Sequence, residues 1–247
     1  MAKTEYDQIA GEYKESKLLG FRQHIEAHTL FELMGNLNGK KVLDLACGEG
    51  IYTRKIKRAG ADKAVGVDLS TEMIRLAEGE EKRNPLGCTY YVSDVARLGP
   101  LDEFDIVVGS YLLNYSTTKE ELADFARAIY NNLKPGGHFI GFNNNPADFT
   151  HSDSRYRSYG FTKHCPNGHK DGDPIVYTFY NEDGSVFQLE NYFLKPELHK
   201  DVFEACGFSS FHWKKALLSR DGKTSFPETY WDEFLTYQPV CGLVAIK

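Results

Sequence analysis

Five short apolar segments alternate with amphipathic helical patterns through the middle of the chain. Apolar runs that are each followed by a helix are typical of a parallel sheet with crossover connections. Capping signals support this pattern, because Ser70 can cap one of the helices and Thr118 opens a capping box with Glu121. The sequence therefore predicts an α/β fold with a doubly wound sheet, whose first five strands lie at 42–46, 64–68, 89–92, 104–109 and 138–142.

The flanking regions are predicted to cover this core and to extend its sheet. A polar, aromatic-rich stretch at 143–174 is typical of an active-site loop or lid, and residues 175–194 have the composition of a hairpin. A helix starting at Pro196 precedes two further strands, at 208–213 and 240–246. We expect one domain, divided into an N-terminal helical lid (1–38), a cofactor-binding core (40–142), a substrate lid with a hairpin (143–194) and a C-terminal helix with strands (195–247).

Composition limits the kind of partner. With 29 Lys and Arg against 35 Asp and Glu, the formal net charge is -6, so a basic surface for nucleic-acid phosphates is absent as a bulk property. No apolar run reaches the roughly 18 residues that a membrane helix needs, and the first residues lack the apolar stretch of a signal peptide. We expect a cytoplasmic monomer or homodimer that binds a small molecule, with neither nucleic acid nor a membrane as partner.

The cysteines indicate neither a disulfide framework nor a metal centre. Five cysteines are scattered over the chain, an odd number that favours reduced thiols. His164, Cys165 and His169 are metal-binding residue types, but no close Cys-x-x-Cys pair or second ligand cluster accompanies them. No metal is therefore predicted.

Acidic residues and glycines stand where the first three strands end. Ligands of an open parallel sheet bind beyond these carboxyl ends. The loop with Gly48 and Gly50 lets a ligand approach the backbone closely and leaves amides free at a helix start. Asp68 can accept hydrogen bonds from both hydroxyls of a ribose, and Asp94 can accept one from an exocyclic amine such as adenine N6. Together these strand ends predict an adenosine pocket.

The residues around the glycine loop favour S-adenosylmethionine over a dinucleotide. A dinucleotide site needs a third small residue in this loop, where the chain has Thr53. Asp44 and Glu49 would repel a pyrophosphate, whereas they suit a ligand with an ammonium and a sulfonium. The two glycines also fit a purely structural turn. An NAD-linked or nucleotide-sugar enzyme therefore stays as a less favoured alternative.

The same segments resemble the class I S-adenosylmethionine-dependent methyltransferases. Residues 42–50 (VLDLACGEG) resemble the first motif of that family, residues 65–73 the second and residues 93–95 the third. Residues 104–108 and 133–137 are similar to its fourth strand and to the approach to its fifth. The resemblance implies a seven-stranded, mainly parallel sheet of the Rossmann-like methyltransferase type, with an antiparallel last strand.

The resemblance also implies a cofactor and its contacts. The cofactor is S-adenosylmethionine, which leaves as S-adenosylhomocysteine. Leu69 and Met73 would pack against adenine, and the backbone of 46–50 would surround the methionyl part. The implied cofactor residues are Tyr13, Asp44, Ala46, Gly48, Gly50, Asp68, Leu69, Met73, Ser93, Asp94, Val95 and Ser110.

A narrower resemblance concerns the acceptor. Residues 6–13, 111–115 and 190–194 are similar to segments of the toxoflavin-type N-methyltransferases, which methylate azapteridine heterocycles. This implies a heteroaromatic nitrogen as the acceptor. The candidate substrate contacts are Tyr6, Tyr111, Asn114, Tyr115, Asn143, Asn145 and Tyr177, and the candidate bases are Tyr111, Tyr115 and His151.

Methyl transfer itself makes modest demands on side chains. The enzyme holds a nucleophile in line with an activated methyl carbon and excludes water, so a catalytic base is optional. The same pocket could methylate the oxygen of a phenol or a carboxylate. A non-catalytic module that holds S-adenosylhomocysteine is a further alternative of a different class.

Overall fold

The computed structural model describes residues 6–149 and 152–247, which form two sheets and the helices around them. The strands are β1 (Lys41–Leu45), β2 (Lys63–Asp68), β3 (Thr89–Val92), β4 (Phe104–Ser110), β5 (Leu133–Asn144), β6 (Ser152–Asp153), β7 (Phe161–His164), β8 (Pro174–Tyr180), β9 (Val186–Tyr192), β10 (Ser210–Lys214) and β11 (Val240–Ile246). The helices are α1 (Tyr6–Ser16), α2 (Ala27–Met34), α3 (Ile51–Arg58), α4 (Thr71–Arg83), α5 (Lys119–Asn132), α6 (Pro196–Ala205), α7 (Arg220–Ser225) and α8 (Asp232–Tyr237).

The larger sheet has seven strands in the order β10-β11-β5-β4-β1-β2-β3. Strands β1 to β5 pair in parallel, whereas β11 is antiparallel to both β5 and β10. The predicted seven-stranded, mainly parallel sheet with an antiparallel last strand is confirmed. The positions predicted for β3 and β11 agree with the structure. Strand β1 lies one residue earlier than predicted, β2 begins one residue earlier, and β4 ends one residue later. Strand β10 begins two residues later than predicted and ends one residue later.

Strand β5 is longer than its apolar pattern indicates. It begins at Leu133, which pairs with Phe104 before the register shifts, rather than at the predicted position 138. Gly136 has a φ of +73° within this irregular start. Alternation of apolar and polar residues is interrupted there, so the sequence pattern shows only the regular second half of the strand.

Alternate residues of the central strands enter two different cores. Val42 and Val108 pack with Leu30 of α2 on one face of the sheet. Leu43 and Val107 pack on the other face with residues of α5 and α6. Helices thus cover both faces, and the central strands are apolar on both sides for that reason.

The predicted helix caps are present. The Ser70 hydroxyl accepts a hydrogen bond from the amide of Met73 (3.1 Å), and that of Thr118 accepts one from the amide of Glu121 (3.2 Å). These caps fix where α4 and α5 begin, directly beyond the carboxyl ends of β2 and near that of β4.

The smaller sheet has the antiparallel order β6-β7-β8-β9 and contains the predicted hairpin as β8 and β9. The expectation of a loop over 143–174 is corrected, because β6 and β7 extend this sheet and the segment buries its aromatic residues. Tyr156 stacks on Phe161 with ring centres 5.3 Å apart, and both rings meet Phe234 of α8. Helices α7 and α8 have no counterpart in the sequence analysis; they complete this aromatic core.

Helix α1 lies against the smaller sheet, as a covering element should. The Asn181 side chain donates to the carbonyl of Glu12 (2.8 Å), and the Tyr13 ring meets the ring of Phe187 edge-on. Among the described residues, no helix is long and apolar enough to cross a membrane.

Candidate active site

A cleft opens at the carboxyl ends of β1 to β4, and it includes the ends of β1 to β3, where the sequence predicts the ligand. Its volume is about 290 Å³, and we refer to it as the main cleft. The loop after β1, the start of α4, the turn after β3 and helix α1 contribute to its walls. Its lining includes these predicted cofactor residues: Tyr13, Ala46, Gly48, Asp68, Leu69, Met73, Asp94, Val95 and Ser110.

Backbone amides fix both predicted adenosine carboxylates. Asp68 accepts hydrogen bonds from the amides of Gly48 (2.7 Å) and Ser70 (2.9 Å), one on each carboxylate oxygen. Asp94 accepts one from the amide of Ala96 (2.9 Å). Each carboxylate oxygen has two lone pairs, so these bonds orient the groups without exhausting their capacity as acceptors.

The loop after β1 has the backbone that a closely approaching ligand requires. Gly48 has a φ of +55°, and a Cβ built on it would meet no atom within 4 Å. Ala46 also has a positive φ, +56°. The space beside Gly48 belongs to the main cleft and is free of protein atoms because the residue has no side chain.

Gly50 and Ser93 act on the site indirectly and do not line the main cleft. Gly50 is the N-cap of α3 at a φ of +79°, and a Cβ there would lie 2.6 Å from the hydroxyl of Tyr90. The amide of Ser93 donates to the carbonyl of Asp68 (2.9 Å). Both residues hold neighbouring strand ends in place.

A second, smaller cavity of about 30 Å³ adjoins the main cleft, and we refer to it as the inner cavity. Tyr13, Tyr111 and Tyr115 line both cavities. The remaining wall of the inner cavity is mostly aromatic and aliphatic, with three polar side chains, and consists of Phe21, Arg22, Asn144, Phe161, Tyr177, Phe179, Leu189, Asn191 and Val240.

The asparagines after β4 and in β5 line two small cavities. Asn144 lines the inner cavity and, together with Asn114, Asn143 and Asn145, a further small cavity. The predicted contacts Asn114, Asn143 and Asn145 do not line the inner cavity, and their contact with substrate stays a prediction. Asn114 lies behind the inner wall, where its side-chain oxygen accepts from the amide of Asn144 (3.3 Å).

Comparison with known proteins identifies the part of the chain that builds the main cleft. Residues 42–137 match the protein family described as "Methyltransferase domain". The matched segment runs from β1 into β5 and includes Gly48, Asp68 and Asp94. Residues 42–137 form a methyltransferase domain.

Curated relatives are similar to part of the chain. A Haemophilus influenzae protein that carries the name "Uncharacterized protein" is 29% identical over 140 residues, which cover 55% of this chain and 54% of that protein. Ribosomal protein L11 methyltransferase of Burkholderia multivorans is 35% identical over 99 residues, 40% of this chain and 30% of that protein. The chain thus spans about half, or less, of the length of these curated relatives.

One solved structure illustrates how far the fold extends. An S-adenosylmethionine-dependent methyltransferase from Clostridium acetobutylicum superimposes with a TM-score of 0.67 at 20% identity, covering 98% of this chain and 99% of that one. The likeness includes the flanking regions as well as the methyltransferase domain. At this identity it shows a shared fold.

Asp44 lies inside β1, next to the glycine loop. It is buried in β1, accepts a hydrogen bond from the Thr53 hydroxyl (2.6 Å) and lines a small cavity beside Gly48. Burial raises the pKa of Asp44 to about 7. Thr53, which replaces the small residue of a dinucleotide loop, therefore serves to hold this carboxyl.

A buried carboxylate, Glu26, holds Tyr111, which lines both cavities, and the sequence analysis missed it. Its oxygens accept hydrogen bonds from the hydroxyls of Tyr52 (2.7 Å) and Tyr111 (2.8 Å). Arg22 (3.1 Å) and Lys17 (3.6 Å) form ion pairs with it. Burial acts to raise the pKa of Glu26, but the two cations and the two hydroxyls outweigh it and hold the pKa below its ordinary value.

The spacing of Arg22 and Glu26 was the available sequence signal for this cluster. An i,i+4 pair on a helix is common at surfaces, and nothing local indicates that this one is buried. Arg22 and Glu26 are in fact the ends of a π-helical turn, Arg22–Glu26, that leads into α2. The tyrosine partners come from other elements.

Tyr111 is held in a strained conformation at the border of the two cavities. Its φ is +63°, which is uncommon for an aromatic residue, and its amide donates to the carbonyl of Phe142 (2.6 Å). Burial, and then the Glu26 carboxylate, raise the pKa of Tyr111 well above its ordinary value. Strain of this kind is concentrated at functional sites, where the surrounding structure enforces it.

The other candidate bases and contacts are distributed as follows. Tyr115 lines both cavities with Tyr111. The side chain of Tyr6 and the whole of His151 lie outside the described residues, so their predicted roles stay predictions.

Proposed function

We propose that the protein transfers the methyl group of S-adenosylmethionine to a small planar acceptor, a heteroaromatic nitrogen held in the inner cavity. The observation that carries the proposal is the shared border of the two cavities at Tyr13, Tyr111 and Tyr115. A methyl donor in the main cleft would meet an acceptor in the inner cavity across these rings.

The residues of the main cleft fit the cofactor chemically. Asp68 and Asp94 offer oriented carboxylates to ribose hydroxyls and an adenine amine. Leu69 is a largely exposed leucine that lines the cleft, as a residue that packs on adenine would be before the base arrives. Asp44 supplies negative charge near the position of the ammonium and sulfonium.

The bound cofactor would supply an activated methyl carbon. The protein would align the acceptor with this carbon and exclude water from the site. Displacement requires the nucleophile, carbon and sulfur to lie in line, which a rigid aromatic wall can enforce. Helix α1 and the smaller sheet cover the inner cavity and would exclude water. The Tyr111 hydroxyl keeps its proton and donates a hydrogen bond to Glu26. We therefore assign Tyr111 a positioning role and not that of a base.

The lining of the inner cavity supports a flat acceptor. Its volume of about 30 Å³ is near that of one water molecule, so a ring bound there would extend across the border into the main cleft. Aromatic side chains such as Phe161 and Phe179 offer faces for stacking, and Asn144 and Asn191 offer neutral donors and acceptors. An azapteridine-type ring, as in the toxoflavin-type enzymes, has these features. The oxygen of a phenol or a carboxylate is the alternative acceptor in the same cavity.

A protein acceptor is the second candidate, because one relative is named as a methyltransferase of ribosomal protein L11. Its similarity is confined to 99 residues, whereas the inner cavity is built largely from β8, β9 and the segment around Arg22. A polypeptide would have to displace α1 or the smaller sheet. The covered cavity therefore favours a small molecule.

The test is methyl transfer from isotopically labelled S-adenosylmethionine, followed by mass spectrometry and NMR of the product. The acceptors are a panel of nitrogen heterocycles, a panel of phenols and carboxylates, and ribosomal protein L11. Methyl on a ring nitrogen supports the proposal, and methyl only on oxygen or on L11 contradicts the acceptor assignment. Binding of S-adenosylhomocysteine without transfer to any acceptor would indicate the non-catalytic module.

A further inference from the structure

The small cavity beside Gly48 has a volume of about 20 Å³, and we refer to it as the loop cavity. A cavity of this size admits a small group and not a ring. Four residues line both the loop cavity and the main cleft: Tyr13, Ala46, Gly48 and Ser110. This shared wall allows a ligand that occupies the main cleft to place one of its ends in the loop cavity.

The loop cavity carries charges of both signs. Asp44 and Glu49 contribute carboxyl groups, and Lys17 contributes an ammonium. The Glu49 and Lys17 side chains are 12% and 14% exposed, so neither is fully enclosed by protein. Burial raises the pKa of both carboxyls, and Lys17 acts to lower both values, which places its ammonium within electrostatic reach of them. A ligand group with one positive and one negative charge would complement this wall.

The Lys17 ammonium has hydrogen-bond donors to spare. Its Nζ lies 4.8 Å from the centre of the Tyr13 ring and 5.5 Å from that of the Tyr52 ring, and both rings line the loop cavity. Its ion pair with Glu26 spans 3.6 Å, which is longer than a hydrogen bond. In the described part of the chain this ammonium makes no hydrogen bond. Since an ammonium has three donors, Lys17 can bind an anionic oxygen without losing a hydrogen bond.

Glu26 does not depend on Lys17 for its hydrogen bonds. Arg22 donates to Glu26 over 3.1 Å, and the hydroxyls of Tyr52 and Tyr111 supply two further bonds. Lys17 thus adds a longer ion pair to a carboxylate that is already hydrogen-bonded. Its own donors stay available to a ligand in the loop cavity.

We propose that Lys17 binds the carboxylate of the methionyl part of S-adenosylmethionine in the loop cavity. In this cofactor the carboxylate and the ammonium are attached to one carbon, so the end of the site that receives them has to offer charges of both signs. Asp44 and Glu49 serve the ammonium, and Lys17 serves the carboxylate. Lys17 is then a specificity-determining residue, which selects adenosyl ligands with a complete amino-acid group. The inference concerns the methyl donor and is independent of the acceptor.

The position of Lys17 in the chain gives this contact a second consequence. Helix α1 ends at Ser16, directly before Lys17, and Tyr13 of α1 lines the main cleft. A carboxylate bound to Lys17 would therefore tie the end of α1 to the cofactor. Ligands without a carboxylate should hold this end of α1 less firmly.

The test compares three adenosine thioethers that differ at the amino-acid end. S-adenosylhomocysteine has both the ammonium and the carboxylate, 5′-(3-aminopropylthio)-5′-deoxyadenosine keeps the ammonium alone, and 5′-methylthioadenosine has neither. Their binding to the full chain is measured by calorimetry at pH 8, above the pKa of about 7 of Asp44. S-adenosylhomocysteine should bind at least about tenfold more tightly than the aminopropyl analogue.

Three variants assign this preference to a residue. Lys17→Met removes the ammonium and should lower the affinity for S-adenosylhomocysteine about ten- to hundredfold, without lowering the affinity for the aminopropyl analogue. Lys17→Arg keeps the charge and should retain most of the affinity for S-adenosylhomocysteine. Lys55→Met is the matched control, because Lys55 lies 5.6 Å from the same Tyr52 ring but lines neither the loop cavity nor the main cleft. It should bind all three ligands like the wild type.

Proteolysis of the wild type supplies a measurement that needs no variant. At equal saturation, S-adenosylhomocysteine should slow tryptic cleavage after Lys14 several-fold more than the aminopropyl analogue does. Equal protection by the two ligands would contradict the tie between α1 and the carboxylate.

The outcomes separate this inference from the proposed function. Equal affinity of the wild type for S-adenosylhomocysteine and the aminopropyl analogue would overturn the inference. An unchanged affinity of Lys17→Met for S-adenosylhomocysteine would also overturn it, as would an equal loss for both ligands, which indicates a structural role. Absence of binding of all three ligands would overturn it together with the cofactor assignment. A failure of methyl transfer to every acceptor, with carboxylate-dependent binding intact, would contradict the proposed function alone.

Discussion

The hydroxyl of Tyr111 donates a hydrogen bond to Glu26 over 2.8 Å, although the two residues are 85 positions apart in the chain. The bond connects the loop after β4 with the segment before α2. Tyr111 lines both cavities, so Glu26 sets the position of the ring that separates them.

Replacement of Glu26 by Gln should destabilise the fold. It leaves Arg22 and Lys17 without their shared carboxylate, and we expect a decrease of about 2 to 4 kcal/mol in the free energy of unfolding at pH 7. Urea denaturation measures this change. Glu32→Gln is the control because the Glu32 side chain is 60% exposed, and it should change stability little.

The same substitution should alter the response of stability to acid. The folded-state pKa of Glu26 lies below its ordinary value of 4.5, so its stabilising effect is present above pH 4.5 and is lost as pH falls through the folded pKa. The difference between the wild type and Glu26→Gln should therefore shrink below pH 4.5. A difference that stays constant down to pH 3 would contradict the ion-pair assignment.

Asp44 should make cofactor binding depend on pH near neutrality. Its pKa is raised to about 7 in the folded protein, which favours the protonated form and lowers stability as pH rises from the unfolded value of 3.8 towards 7. A cationic ligand favours the ionised form, so affinity for S-adenosylmethionine should rise by at most about tenfold between pH 6 and pH 8. Calorimetry in buffers of different ionisation enthalpy would detect the proton that Asp44 releases on binding. In Asp44→Asn, the affinity for S-adenosylmethionine should no longer change with pH in this range.

Gly48→Ala should weaken cofactor binding without unfolding the domain. Its positive φ implies strain of about 1 to 2 kcal/mol with a side chain, and the new methyl group would occupy the main cleft. We expect at least about a tenfold loss of affinity for S-adenosylhomocysteine, and a complete loss for Gly48→Val. Gly136→Ala is the matched control, because Gly136 has a φ of +73° and open space around it but lies away from both cavities. Equal affinities in the two alanine variants would refute the role of Gly48.

Asp68→Ala should weaken cofactor binding by about 2 to 4 kcal/mol, because a charged acceptor of two ribose hydroxyls is lost. In Asp68→Ala the Gly48 and Ser70 amides also lose their hydrogen-bond acceptor. Asp68→Asn keeps one side-chain oxygen as an acceptor, so comparison of the two variants separates the loss of the charge from the loss of these amide bonds. Calorimetry with S-adenosylhomocysteine gives both values. Asp102→Asn, at the start of β4 on the opposite end of the sheet, should bind like the wild type, and an unchanged affinity in Asp68→Ala would place the ribose elsewhere.

Helix α1 should close over the bound ligand. Its residue Tyr13 lines both cavities, so we expect S-adenosylhomocysteine to slow tryptic cleavage after Lys14 and Lys17 by several-fold. Cleavage after Lys200, on α6 and 54% exposed, serves as the internal reference. Identical rates at Lys14 and Lys17 with and without ligand would contradict closure of α1.

The sequence by itself determined the sheet of the methyltransferase domain and most of the main cleft. Strand periodicity, helix caps and the glycine loop are local signals, and parallel strands bring their carboxyl ends to one edge of the sheet. Asp68 and Asp94 could therefore be placed together without coordinates. Thr53 could be recognised as a departure from a dinucleotide loop, although not as the partner of Asp44.

Only the tertiary structure decided the inner cavity. The role of Glu26 could not be predicted from the sequence, because its partners Tyr52 and Tyr111 come from α3 and from the loop after β4. They interact because all three are packed together in the interior, not because of their spacing in the chain. Asn144 lines the inner cavity and Asn143 does not, because successive side chains of β5 point to opposite faces of the sheet. Arg22 lies over the Phe179 ring because the smaller sheet folds back against the segment before α2, a packing that no local pattern encodes.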